Sequence, residues 1–214
     1  MIKVFIADDH PLVREGLKKV VDQSTIDIKV IGEASDAYEL MEKLRTSDVT
    51  PDIIVLDITM PGKSGLDVLK EIKEFYPDMP VLMLSIHPED RFAIRSLKAG
   101  ASGYLTKSSI SEQLVKAIRK IVTQKKKYIS SNVAEQLASR VDQMNDKPLH
   151  ESLSDREYQI MCLIASGKKV NEIADELSLS IQTVHTYRAR IKEKMGLHSN
   201  VEFTRYAIEQ NLID

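Results

Sequence analysis

The sequence predicts an α/β domain built on five parallel strands, followed by a small all-α domain. Three observations carry that prediction. Residues 1–125 alternate short, almost continuously apolar runs with longer stretches in which apolar residues recur at helical spacing. Strands that are apolar on both faces belong to a parallel sheet covered by helices on each side. From about residue 125 the strand patterns cease and only helical periodicity remains.

The elements follow in order. A first strand over 2–7 runs into Asp8-Asp9, and Leu12, Val13, Leu17, Val20 and Val21 then keep a helical period. A second strand over 28–33 precedes Leu40, Met41 and Leu44 at the same spacing. The third, over 53–57, ends in Asp57 and leads to a helix carrying Leu66, Leu69, Ile72 and Phe75. The fourth, over 80–85, ends in Ser85, with Phe92, Ile94 and Leu97 in the helix after it. The fifth, over 102–106, delivers Lys107, and a last helix carries Leu114, Val115, Ile118, Ile121 and Val122. Pro51-Asp52, Pro61-Gly62, Pro77-Asp78 and Ala99-Gly100 punctuate these units as turns. Residues 126–150 read as a helical linker: Val133, Leu137 and Val141 fall four apart, and a polar run ends at Pro148. Four helices follow, over 155–166, 170–177, 181–195 and 200–210.

Composition narrows the class. The chain has 214 residues, 43% hydrophobic and 29% charged, with a net charge of −2, so nothing global points to nucleic acid or membrane. A single cysteine, Cys162, excludes an internal disulfide, fits a reducing cytoplasm and reads as core. No apolar run reaches membrane-spanning length, and aspartates at positions 8 and 9 break any signal-peptide core. The histidines at 10, 87, 150, 185 and 198 show no paired metal-ligand spacing, and no zinc site is read from them.

Each polar residue at a strand end has a plain structural reading. Asp8 or Asp9 can cap a helix starting at Pro11, Asp57 can open a turn, and Lys107 can be a surface lysine. Their conjunction says more, because the C-terminal ends of parallel strands converge where ligands bind in open α/β sheets. Clustered carboxylates repel, so a hard cation such as Mg²⁺ is needed to hold them together. Asp57 on the central strand is then the nucleophile toward phosphorus, with Lys107 neutralising charge on the transferring group and the Ser85 hydroxyl bonding a phosphoryl oxygen.

Asp8-Asp9, Asp57 followed by Met60-Pro61-Gly62, Ser85, and Tyr104 three residues before Lys107 together resemble the receiver domain of two-component response regulators. The resemblance covers residues 1–125 and implies a flavodoxin-like fold. It implies that Asp57 accepts phosphate from a histidine kinase. It also implies that Asp8, Asp9, Asp57 and the backbone carbonyl of Thr59 surround Mg²⁺, and that Ser85 and Tyr104 are the switch pair.

In the helical part, 170–177 and 181–195 flank Ser178-Leu179-Ser180, with Ser180 as N-cap, and read as helix-turn-helix. Val184, Tyr187, Ile191 and Met195 form the stripe expected to face the core. Four basic residues against Glu193 give 181–195 a net charge of +3, which suits insertion into a major groove. A solvated charged helix is the plain alternative. Leu153-Ser154-Asp155-Arg156-Glu157, Gly167, Ile173-Ala174, Leu177, Ser180 through Val184, Ile191 and Lys194-Met195-Gly196 resemble the LuxR-type domain of NarL/FixJ-family regulators over 151–214. The resemblance implies contact with double-stranded DNA through Gln182, Thr183, His185, Thr186, Arg188, Ala189, Arg190, Lys192 and Lys194. It places 185, 186 and 189 nearest the bases and implies pairing through the last helix, near Val201, Phe203 and Ala207, apolar residues that could equally form the domain's own core. Gln182 stands where lysine is common and Tyr187 where histidine is frequent, which bears on target sequence.

The expectation is therefore a cytoplasmic, non-enzymatic transcription regulator with Mg²⁺, a histidine kinase, DNA, RNA polymerase and a second copy of itself as partners. Phosphorylation would shift a two-state equilibrium toward a DNA-competent dimer. Phosphate-independent regulation is possible in this family, but the complete acidic site argues against it, and two further rivals remain. One is a Mg²⁺-dependent phosphohydrolase, against which stands the lack of an Asp-x-Asp pair at Asp57-Ile58-Thr59. The other is a receiver whose helical domain docks protein rather than DNA.

Overall fold

The computed structural model describes residues 1–24, 27–86, 89–131, 133–135, 148–210 and 212–213. They form two compact units, Met1–Ala134 and Glu135–Asp214. Most of the expected linker helix and its polar run, residues 136–147, lies outside the described residues. Among the described residues, no helix is long and apolar enough to cross a membrane.

The first unit alternates strands and helices. Strands β1 (Ile2–Ala7), β2 (Ile28–Ala34), β3 (Ile53–Asp57), β4 (Val81–Ser85) and β5 (Gly103–Thr106) are followed in turn by α1 (Pro11–Ser24), α2 (Ala37–Thr46), α3 (Gly65–Phe75), α4 (Glu89–Lys98) and α5 (Ile110–Gln124). All pairings are parallel, in the order β2-β1-β3-β4-β5. The chain builds outward to β2 and then crosses back to β3. The reversal leaves a crevice between β1 and β3, where such sheets bind ligands. Ala7 pairs with Leu56, so the next residues, Asp8 and Asp57, emerge side by side at that crevice.

Alternation along the strands explains the two layers of core. Val4, Ile6, Ile53, Val55, Leu82, Leu84 and Leu105 pack with Leu17 and Val21 of α1 and Leu114, Ile118 and Ile121 of α5. Phe5, Ile54, Leu56 and Met83 point to the opposite face, and all are buried. Two expected core residues do not join either layer. Leu12 is 87% and Phe75 62% exposed. Leu12 precedes the buried stripe of α1 by a fraction of a turn, and Phe75 is the last residue of α3. Val68, which the apolar spacing passed over, is buried instead.

The chain beyond α5 stays with the sheet. The Tyr128 backbone N–H donates to Ser102 O at 2.8 Å, and Tyr128 bridges Gly103 of β5. Its hydroxyl donates to Gln113 Oε1 at 3.1 Å, and the Lys120 ammonium lies 5.4 Å from its ring centre. A Cβ on Gly103 would stand 2.9 Å from Tyr128 backbone and side chain, so this close approach requires glycine.

The second unit contains α6 (Asp155–Ala165), α7 (Val170–Glu176), α8 (Ile181–Met195) and α9 (Asn200–Glu209). Ser154 and Glu157 form a capping box at the start of α6, and Ser199 with Glu202 repeats it at α9. Gly196 ends α8 in the left-handed conformation, φ 65°. Tyr158, Ile173, Leu177, Val184, Ile191, Phe203 and Ala207 are buried, and so is the single cysteine, Cys162. Phe203 and Ala207 thus belong to this unit's own core, while Val201 is 77% exposed.

Candidate functional site

At the C-terminal edge of the sheet, β1 delivers Asp8, β3 Asp57, β4 Ser85 and the turn after β5 Lys107. Asp8, Asp57 and Ser85 are all at most 1% exposed. The Lys107 ammonium lies 2.7 Å from Asp8 Oδ2 and 2.9 Å from Asp57 Oδ2, bridging the two carboxylates. Asp8 also caps the turn into α1, because Oδ1 accepts from the His10 backbone N–H at 2.8 Å. Capping by Asp8 is therefore compatible with its place in this cluster.

Burial raises the Asp57 pKa to about 7, and the neighbouring Asp8 charge adds to the rise. Lys107 and the Thr59 backbone amide oppose it without overcoming it. Burial on its own would lower the Lys107 pKa, but its pairing with Asp57 and Asp8 outweighs that and holds it raised. Asp57 Oδ1 is buried and, among the described residues, has no hydrogen-bond partner. Asp8, Asp9, His10 and Asp57 each present a ligand atom within 4.8 Å of the others. A partnerless buried carboxylate oxygen among converging oxygens is a donor set that fits a hard divalent cation. Thr59, two residues beyond β3, and Tyr104, within β5, are 8% and 3% exposed.

Gly65 holds the β3 end in place, and the sequence reading missed it. Its N–H donates to Ile58 O at 2.8 Å, and a Cβ there would fall 2.0 Å from the Asp57 carbonyl oxygen. The start of α3 is thus pressed against the backbone of Asp57 itself. His10 also lies beside the carboxylates, with Nδ1 2.6 Å from Asp9 Oδ1, a proximity that the spacing among the histidines does not show. The signal was its adjacency to two aspartates.

On α8, Val184, Ile191 and Met195 are buried and Tyr187 half-buried, as the stripe predicted. Gln182, His185, Thr186, Ala189 and Arg190 are exposed, and Thr183, Arg188 and Lys192 partly so. Two of the basic residues have partners within the unit. Arg188 Nη2 donates to Asn200 Oδ1 at 2.8 Å, and Lys194 Nζ to Glu157 Oε2 at 2.6 Å. Ser180 caps the helix by accepting from Thr183 N, and Thr186 Oγ1 donates to the Gln182 carbonyl. The turn before α8 is set from α6. Buried Arg156 donates from Nη2 to Leu177 O at 2.9 Å and from Nη1 to Gln159 Oε1 at 2.8 Å, beside Ser178 in the left-handed region, φ 50°. In the sequence Arg156 stands out only as part of a motif. Its role needed the fold.

Residues 4–119 match the model of the response regulator receiver domain, and residues 151–207 that of bacterial regulatory proteins of the luxR family. The chain is 38% identical over 213 residues to the response regulator UvrY of Escherichia coli (strain K12), covering 99% of this chain and 96% of that one. It is 40% identical over 217 residues to the response regulator GacA of Pseudomonas syringae pv. syringae, covering 100% and 99%. Among solved structures it is similar to RcsB from Salmonella enterica serovar Typhimurium bound to promoter rprA in the presence of phosphomimetic BeF₃⁻. That similarity has a TM-score of 0.62 and 26% identity, over 96% of this chain and 97% of that one.

Proposed function

The chain belongs to the two-component response regulators of the NarL/FixJ family, with a receiver domain and a LuxR-type DNA-binding domain, and on that premise we propose that phosphoryl transfer to Asp57 gates its binding to DNA. The observation that carries the proposal is the Lys107 ammonium bridging Asp8 and Asp57, which come from different strands. Asp57 carboxylate attacks phosphorus of a phosphohistidine on the partner kinase, the P–N bond breaks, and an acyl phosphate forms. Lys107 neutralises the phosphoryl oxygens, and Ser85 donates to one of them. Asp8, Asp9, Asp57 and the Thr59 carbonyl would hold Mg²⁺, which supplies charge neutralisation at the transferring group. Tyr104 then follows Ser85 as the second member of a two-state switch.

At the other site, Arg190 and Lys192 anchor phosphates and position the helix, while His185, Thr186 and Ala189 face the bases. Few cations are free on α8, so a single copy binds weakly. Pairing on an inverted repeat supplies affinity and register. The chain acts stoichiometrically in the cytoplasm, with a histidine kinase upstream and RNA polymerase downstream, rather than as a turnover enzyme. The similarity to a regulator solved on promoter DNA with a phosphomimetic supports this reading.

The test pairs label uptake with DNA selection. Wild-type protein is expected to incorporate phosphate from a small phosphodonor and Asp57→Asn to incorporate none. Beryllium fluoride with Mg²⁺ is expected to enrich genomic fragments sharing an inverted motif. Label on Asp57→Asn would overturn the nucleophile, and equal enrichment without the mimic would remove phosphate as the gate.

A further inference from the structure

We infer that Lys125, Lys126 and Lys127, directly after α5, are a second DNA contact, one that grips backbone phosphates without reading sequence. The inference rests on the reading of α8 as a DNA-binding helix. All three lysines are exposed. Among the described residues, no carboxylate pairs with any of their ammonium groups.

The run is pinned at both ends. At its start, Lys125 takes the left-handed conformation, φ 54°, and its N–H closes α5 on the Lys120 carbonyl. Just past its end, the Tyr128 N–H is bonded to Ser102 O at 2.8 Å and the Tyr128 hydroxyl to Gln113 Oε1 at 3.1 Å. The three ammonium groups therefore stand on fixed backbone, and engaging a partner orders side chains alone.

Held in this way, the lysines work against their own unit. Glycine takes the left-handed conformation at a helix end without steric cost, and Lys125 stands in its place. The Lys73 ammonium donates to the Met79 and Pro77 carbonyls at 2.6 and 3.3 Å. Burial holds its pKa below the usual range, and the charge of Lys127 lowers it further while Asp78 opposes both. Asp52 shares a shallow depression with Lys125 and Asp78, but its Oδ2 accepts from the Lys3 N–H at 2.7 Å. A helix C-terminus favours a cation, yet that field fades within a turn and accounts for Lys125 better than for Lys127. Strain at Lys125 and repulsion around Lys127 are costs that an external polyanion offsets.

DNA is the polyanion this chain has cause to meet. On α8, Arg188 is bonded to Asn200 and Lys194 to Glu157, which leaves Arg190 and Lys192 for phosphates. Three more cations on the same chain act at high effective concentration on duplex that α8 already holds. Because they touch only phosphates, they add affinity at every sequence.

The experiment uses the full chain with beryllium fluoride and Mg²⁺, and a random-sequence duplex of about 40 base pairs, read by fluorescence anisotropy across a salt series. Joint replacement Lys125→Gln, Lys126→Gln and Lys127→Gln is expected to flatten the slope of log affinity against log salt by about 2–3 per chain. Affinity at about 0.1 M salt should fall tenfold or more. Lys126→Gln with Lys127→Gln leaves the end of α5 intact and should give about two thirds of the slope change. An unchanged slope in both variants would overturn the inference. So would an equal loss from Lys19→Gln, Lys29→Gln and Arg45→Gln, exposed cations elsewhere on the receiver, because net charge rather than place would then be the cause. Retained duplex affinity with lost binding to phosphatidylserine vesicles would make the run a membrane contact instead. If Arg190→Gln weakens duplex binding and the lysine variants do not, α8 stands and the second contact falls. A wild type that binds no duplex would overturn both.

Discussion

At the sheet edge, Asp8, Asp57 and Lys107 lie inside the protein with charged atoms 2.7 and 2.9 Å apart. On α8, Gln182, His185, Ala189 and Arg190 stand in water. The first arrangement concentrates its chemistry in a few atoms whose energies depend on burial. The second spreads its chemistry along a surface where water and salt weaken every charge. One substitution at the first site should therefore be decisive, and one at the second a matter of degree.

The sharpest way to test that contrast is Lys107→Met. It removes the ammonium that bridges these two carboxylates, and breaking such a buried pair costs about 3–5 kcal/mol. Urea unfolding in metal-free buffer should show the loss, with Mg²⁺ restoring part of it. The pH dependence has a definite sign. The Asp57 pKa is raised from 3.8 to about 7 in the folded state, so the folded chain binds a proton more tightly between those values. Metal-free stability should thus fall as pH rises across that window and level off above it. Lys107→Met should extend the fall upward, and Asp57→Asn should remove this contribution.

Gly65→Ala comes next. Its new Cβ meets backbone rather than a flexible side chain, so α3 or the Asp57 carbonyl must move, at a cost of about 1–3 kcal/mol. Phosphate uptake should drop along with the midpoint of unfolding. An alanine variant with wild-type stability and uptake would show that Asp57 is held by its neighbours alone.

Arg156→Met tests whether the second unit also has a buried dependency. The Leu177 carbonyl loses its donor, which costs about 1–3 kcal/mol. DNA binding should weaken although no DNA-facing residue is changed. If it does not, the turn between α7 and α8 is set locally by Ser178.

The smallest effect is expected from Glu157→Gln, which releases Lys194 from its ion pair while leaving a side chain able to complete the capping box. Lys194 is 42% exposed, so the gain in affinity for any DNA should stay below about fivefold, equivalent to about 1 kcal/mol. The gain should be lost at high salt. A larger, sequence-dependent change would make Lys194 a base-reading residue.

The same contrast explains what the sequence disclosed. Asp8, Asp57, Ser85 and Lys107 could be read because each ends an apolar strand, and parallel strands bring their ends together. The helices of the second unit could be read from caps and spacing: Ser154, Ser180 and Ser199 all cap as oxygen-bearing residues do. Leu12 and Phe75 misled because periodicity marks apolar positions without saying where a helix leaves the sheet. Gly65, Arg156 and the Arg188–Asn200 contact stayed hidden because each depends on a partner far along the chain or across a tight approach. No local pattern encodes a 2.0 Å clearance.

Tyr128 has a consequence for how the protein behaves in a crowded solution. β5 is an outer strand of the sheet, and the outer strand of any open sheet is a template on which foreign strands can add. Tyr128 occupies that rim at Gly103, with its own N–H bonded to Ser102. A fragment ending at Gln124 would leave this stretch bare to self-association, whereas one ending at Ala134 carries its own cover.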